Sequence, residues 1–244
     1  MKSRFLLIAS PLLMLASSSC NKPDKAAGPP PTEKSSPVVQ QDIPILPVTK
    51  GDFWQYTVHL EIPAGVSSPT AAEVEQDYER TRNYLGKLSP ANGLPEVDCF
   101  EVIVPGSPNE REFVEIRDDS IMMLGSMIMR PDTMQPLWYN HPIPFVIAGM
   151  KAGTESPDIA APGGSMTRKT RVVARETVKV PAGEFPSIRL LMTGMDGTLE
   201  LRRTIWFAPG TGIVREEKTR YRDGKVIFRE NQELVKTSIK ATPR

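Results

Sequence analysis

The chain has 244 residues, 39% hydrophobic and 24% charged, which is room for one domain with a core of ordinary size and excludes disorder over the whole length. Thirty Lys and Arg against 29 Asp and Glu leave no basic surplus for nucleic acid, and two Cys are too few for a disulfide scaffold or a structural zinc site. Against 17 Gly stand 24 Pro, a balance that predicts extended segments and turns, because Pro breaks helix interiors.

The chain opens with Met1-Lys2-Ser3-Arg4, an apolar run from Phe5 to Ala16, and small residues up to Cys20. This is the three-part pattern of a secretory signal over residues 1–19. The run is too short to span a bilayer, and nothing later reaches the roughly eighteen apolar residues that a spanning helix needs. Ser17-Ser18-Ser19-Cys20 resembles the lipobox of bacterial lipoproteins, although Ser17 stands where that family usually has Leu, with Leu15 two positions early. The resemblance implies cleavage before Cys20, acylation of its thiol with palmitate-type chains, and a protein held on the periplasmic side of an envelope membrane. No polybasic patch assists such an anchor, since without Lys2 and Arg4 the balance is 28 bases to 29 acids. Residues 20–50, with Pro23, Pro29, Pro30, Pro31, Pro37, Pro44 and Pro47, read as an extended spacer.

From Gly51 the pattern becomes strict alternation, with Trp54, Tyr56, Val58, Leu60 and Ile62 on one parity, which predicts a half-buried strand. Asp98 to Val104 and Glu112 to Ile116 read as further strands, with Asp118-Asp119-Ser120 as a turn. Thr70 to Leu85 fits two patterns. Thr70 with Glu73 suits a capping box, whereas Val74, Tyr78, Arg80, Arg82 and Tyr84 share strand parity. Downstream, Val172, Ala174, Val178 and Val180 share a face, and Val180-Pro181-Ala182-Gly183 turns into a strand over Phe185–Met192. Further turns at Gly194–Gly197, Ala208–Gly212 and Asp223-Gly224 separate strands that end near Val235. The basic residues Arg168 to Lys179, and Arg215, Lys218, Arg220 and Arg222, are expected on edge strands, where charge prevents sheet addition. The expected architecture is mainly β: a curved antiparallel meander sheet or half-barrel with little helix, spanning residues 51–236 and followed by a tail at 237–244.

Trp54 after Gly51, the Val180-Pro181-Ala182-Gly183-Glu184-Phe185 turn, and the Trp206–Val214 segment resemble uncharacterised envelope lipoproteins whose sheets are similar to the half-barrel of the carriers LolA and LolB. The resemblance implies nearly all strand, and with it a strand over residues 72–84. It carries turn motifs and no catalytic residue.

Chemistry is sparse. There is no Gly-x-Ser-x-Gly elbow, Cys-x-x-Cys pair, His-Glu-x-x-His or phosphate loop, so neither an enzyme activity nor a cofactor is expected. His59 falls on the polar face of its strand, and His141, in Asn140-His141-Pro142, is expected in a loop where it could serve as a hydrolase base. Met122, Met123, Met127, Met129 and Met134 crowd a short stretch. Thioethers select Cu(I), but Met is equally the adaptable residue of an apolar wall, and no His or Cys interleaves with these. The candidate ligand-binding residues are therefore Met122, Leu124, Met127, Met129 and Trp138, expected on the concave face. Cys99 is expected to be a quiet buried thiol. The expected partners are a membrane through the Cys20 lipid and an apolar ligand or an envelope protein. A filled interior would favour the protein.

Overall fold

The computed structural model describes residues 44–66, 68, 70–90, 93–129, 137–156, 159–160 and 166–239. The signal, Cys20, most of the spacer and Met134 lie outside them. Twelve strands form one sheet: β1 (Phe53–Ile62), β2 (Val74–Leu88), β3 (Val97–Ile103), β4 (Glu110–Ile116), β5 (Ser120–Ile128), β6 (Leu137–Ile147), β7 (Ile159–Ala160), β8 (Met166–Val180), β9 (Gly183–Asp196), β10 (Leu199–Ala208), β11 (Gly212–Arg222) and β12 (Lys225–Thr237). Their order is β6-β5-β4-β3-β2-β1-β12-β11-β10-β9-β8-β7, with every neighbouring pair antiparallel. No helix occurs among the described residues. The sheet curls into a half-barrel, which gives its apolar face something to pack against: itself.

The turns follow from their residues. Asp223 and Gly224 both take positive φ, 51° and 72°, as the two-residue connection between β11 and β12 requires, and Asp-Gly is a pair that tolerates this conformation. β2 is a strand throughout, in agreement with the parity of Tyr78, Arg80, Arg82 and Tyr84.

Four expectations need correction. Asn140-His141-Pro142 is not a loop but part of β6, an edge strand, where Pro is tolerated because no neighbour needs its missing N–H. β11 lies between β10 and β12 in the middle of the sheet, so Arg215, Lys218, Arg220 and Arg222 protect no edge. The domain begins before Gly51: Ile45 and Leu46 are 1% and 3% exposed and belong to the core, with the Ile45 backbone hydrogen-bonded to Asp118 and Gly210. At the other end, Ser238 accepts a hydrogen bond on Oγ from Phe53 N at 3.0 Å, so the tail begins beyond it.

The main core fills the concave side with Trp54, Tyr56, Phe100, Phe145, Ile205 and Phe207 among others. A smaller cluster of Cys99, Phe113 and Met127 lies on the opposite face of β3 to β5. Consecutive strand residues point to opposite faces, and Phe100 and Val114 are in the main core while Cys99 and Phe113 are in the smaller one.

Candidate functional site

The concave face changes character along its length. At one end it is apolar, and two buried aromatic donors tie it to the β10–β11 turn: Trp54 Nε1 donates to the Thr211 carbonyl at 2.6 Å and Tyr56 Oη to the Ile213 carbonyl at 3.0 Å. Further along, the register places Tyr78 and Arg80 beside Val58 and Tyr56, and Lys218 between Arg203 and Glu230, so charges stand at positions that the alternation reserves for the inside.

These charges pair with one another, while Arg80 Nε is buried without a hydrogen-bond partner. Arg80 donates from Nη2 to Glu230 Oε2 at 2.8 Å and from Nη1 to Gln232 Oε1 at 2.6 Å, and Tyr78 Oη donates to Glu230 Oε2 at 2.8 Å. Arg203 grips Glu216 with both Nε and Nη2, at 2.6 and 2.8 Å, in the bidentate geometry that guanidinium and carboxylate favour. Gln232 Nε2 donates to Glu216 Oε2 at 3.1 Å and joins the two pairs. Arg82 reaches the other half of the sheet, donating from Nε to Glu112 Oε2 at 3.0 Å while its guanidinium lies 3.8 Å from the Phe100 ring centroid.

Titration follows from this placement. Burial alone would raise the Glu230 pKa, but the Arg80 hydrogen bond and the Lys218 charge overcome it and bring the carboxyl down to about 2. Burial acts first on Lys218 too, and there it wins, holding the ammonium below its ordinary value despite Glu230. Glu110, on the same inner face, is raised by burial and by its neighbour Glu112.

Between the apolar end and the charges lies a cavity of about 20 Å³, bordered by Leu46, Phe100, Phe145, Arg82, Glu112 and Arg203. That is room for one water molecule. Among the described residues the concave face is filled by the protein's own side chains.

The sequence-predicted residues lie elsewhere. Leu124, Met127, Met129 and Trp138 gather in the smaller cluster with Cys99 and Phe113, on the face away from the main core, and Trp138 rests 5.4 Å from Phe113, centroid to centroid. Met122 stands apart from them, half-buried and paired in register with Glu115. Met123, next in the chain, is the methionine that enters the main core. A register shift between Met123 and Gly125 separates it from the outward set. Ile128 and Leu137 are 48% and 46% exposed, but alternation turns them to the face opposite Met127, Met129 and Trp138. Cys99 is buried, and burial pushes its thiol up to about 11. The inner charges were missed by sequence reasoning, although Arg80 and Arg82 share the parity of Tyr78 and Tyr84, which is the signal that could have found them.

His59 is on the outer face, with Nδ1 2.7 Å from Asp77 Oδ1 and Nε2 3.3 Å from Glu61 Oε1. The Asp77 hydrogen bond, helped by the charges of Asp77 and Glu75, raises its pKa above 6.5 against the opposing effect of desolvation. A raised folded-state pKa gives stability that is fully present below the unfolded value and is lost as pH rises through the folded one. An NMR titration should therefore find the His59 midpoint above 6.5, and Asp77→Asn should move it down. A midpoint that does not move in the variant would show that Asp77 is not the cause.

In structural terms the described residues form a twelve-stranded antiparallel half-barrel with a filled, partly charged interior. No protein family and no curated protein matches it. Among solved structures it is similar to a protein from Bacteroides fragilis described as exported and as having a YmcC-like fold, at 14% identity and a TM-score of 0.46, over 80% of this chain and 99% of that one. It is also similar to a protein from Parabacteroides distasonis described as a lipoprotein, at 12% identity and a TM-score of 0.43, over 80% of this chain and 99% of that one.

Proposed function

We propose that the protein is a lipid-anchored component of the bacterial envelope, tethered through Cys20, that works by binding another envelope protein and catalyses no reaction. The observation that carries this reading is the filled concave face. A pocket for a drug-sized ligand takes at least about 300 Å³, against a cavity of about 20 Å³ here. A carrier of apolar cargo, of the kind LolA resembles, would need that interior open. The surface that favours a protein partner is the outward cluster of Leu124, Met127, Met129 and Trp138, on and beside the last two strands at one end of the sheet. Adaptable thioethers and an aromatic anchor suit an interface.

The test is site-specific photo-crosslinking in the native envelope. A crosslinker at residue 124 or 129 should capture one discrete protein, and the same group at residue 59 on the outer face of β1 should not. Capture of lipid alone at 124 and 129, or a stoichiometric lipid found by mass spectrometry in the protein purified without detergent, would overturn this reading in favour of a carrier. The anchor is tested separately: Cys20→Ser should release the protein from the membrane fraction.

A further inference from the structure

The apolar end of the half-barrel is closed by a short piece of chain that belongs to no strand. Ile45 donates its N–H to the Asp118 carbonyl at 2.9 Å and accepts on its own carbonyl from Gly210 N at 3.1 Å. Both backbone groups of one residue are thus held by the tips of two hairpins, β4–β5 and β10–β11, which come from opposite halves of the sheet. The Ile45 and Leu46 side chains are almost completely buried between these tips, while Pro44 and Pro47 on either side are exposed. Gly212 makes room for the segment: a Cβ there would lie 3.4 Å from Leu46 Cδ1 and 3.2 Å from Trp54 Nε1, at a φ of 107° that disfavours any side chain. Leu46 also forms part of the wall of the cavity.

Grooves recognise peptides in this way: backbone groups are taken by the walls, adjacent side chains enter apolar space, and flanking prolines leave the chain fewer conformations to lose. We propose that the slot between the two hairpin tips is a peptide-recognition site for a short segment, bent at two adjacent large aliphatic residues, held in cis by Pro44–Val48. The occupant from a partner has that same chemistry, because the cis segment shows what the walls accept. The inference builds on the protein-binding reading above and names a second point of contact for such a partner. In the resting chain the cis segment competes at an effective concentration of about millimolar or above, so a partner gains access only when the segment withdraws.

The full chain carrying Ile45→Ser and Leu46→Ser leaves the slot without its cis side chains. A fluorescently labelled peptide of the Pro44–Thr49 sequence should bind this variant saturably and at least about tenfold more tightly than it binds the unaltered chain, as follows from removing a competing state. The same peptide with both aliphatic residues replaced by Ser should not bind. A folded variant that ignores the peptide overturns the proposal, and the crosslinks at residues 124 and 129 would be unaffected by that result. Hydrogen exchange on the unaltered chain decides the matter if the variant fails to fold. Ile45 and Gly210 amides should exchange at least about tenfold faster than those of Tyr56 and Val58 in the central strand, and equal protection would mean that the segment never leaves.

Discussion

Arg203→Met should lower the free energy of unfolding by about 3–5 kcal/mol, the cost of leaving a buried carboxylate without its partner. Glu216 is 5% exposed and Arg203 16%, so water cannot fully replace the lost bidentate pair. Gln232 would remain as a neutral donor to Glu216, which is too little to compensate a charge. The double variant Arg203→Met, Glu216→Leu should recover most of the loss, because apolar groups of similar volume often replace a buried ion pair at little net cost. Urea unfolding of the parent, the single and the double variant measures all three. A single variant within about 1 kcal/mol of the parent, the range of surface pairs, would mean that the inner charges are effectively solvated.

The second large effect belongs to Phe100, which is fully buried, packs against Trp54 and Tyr84 at ring-centroid distances of 5.7 and 5.2 Å, and supports the Arg82 guanidinium. Phe100→Ala should cost about 3–5 kcal/mol, since it removes a large apolar side chain and enlarges the cavity beside it. It should also loosen Arg82 from Glu112, because the face that stacks on the guanidinium is gone. The melting temperature and the urea midpoint should both fall, whereas Leu94→Ala at the exposed β2–β3 connection should change stability by no more than about 0.5 kcal/mol. Equal effects at the two positions would contradict the core assignment.

Local chemistry was legible in the sequence, and long-range placement was not. The alternation from Trp54 to Ile62 and the turns at Pro181–Gly183 and Asp223-Gly224 depend on residues next to one another, and each appears in the structure where the pattern puts it. β2 was ambiguous because its inward positions hold Tyr78, Arg80 and Arg82 where an apolar stripe is the usual signal. Their partners Glu230 and Glu112 lie 150 and 30 positions away, so nothing local shows that these charges are satisfied inside. The methionine stretch was recognisable as an apolar wall, but which face each residue takes depends on the register shift after Met123, and a shift by one residue turns every later side chain over. The charges of β11 looked like edge protection because its central position depends on β12 pairing with β1.

That pairing between the first and last long strands also governs how the chain can fold. Every other ladder joins strands that follow one another in sequence, but β1 meets β12 through partners as far apart as Trp54 and Thr237, 183 positions away. The two meanders can each grow by adding neighbouring hairpins, and a single late closure must then unite them, at an entropic cost of roughly 4–5 kcal/mol for a loop of that length. Rejoining the present ends and opening the chain between β6 and β7 would remove this cost, because the order would then run from β7 through β12 and on from β1 to β6 without a break. The natural connectivity is thus one rotation away from a simple up-and-down sheet, and its slow step is fixed by where the chain begins rather than by the shape it reaches.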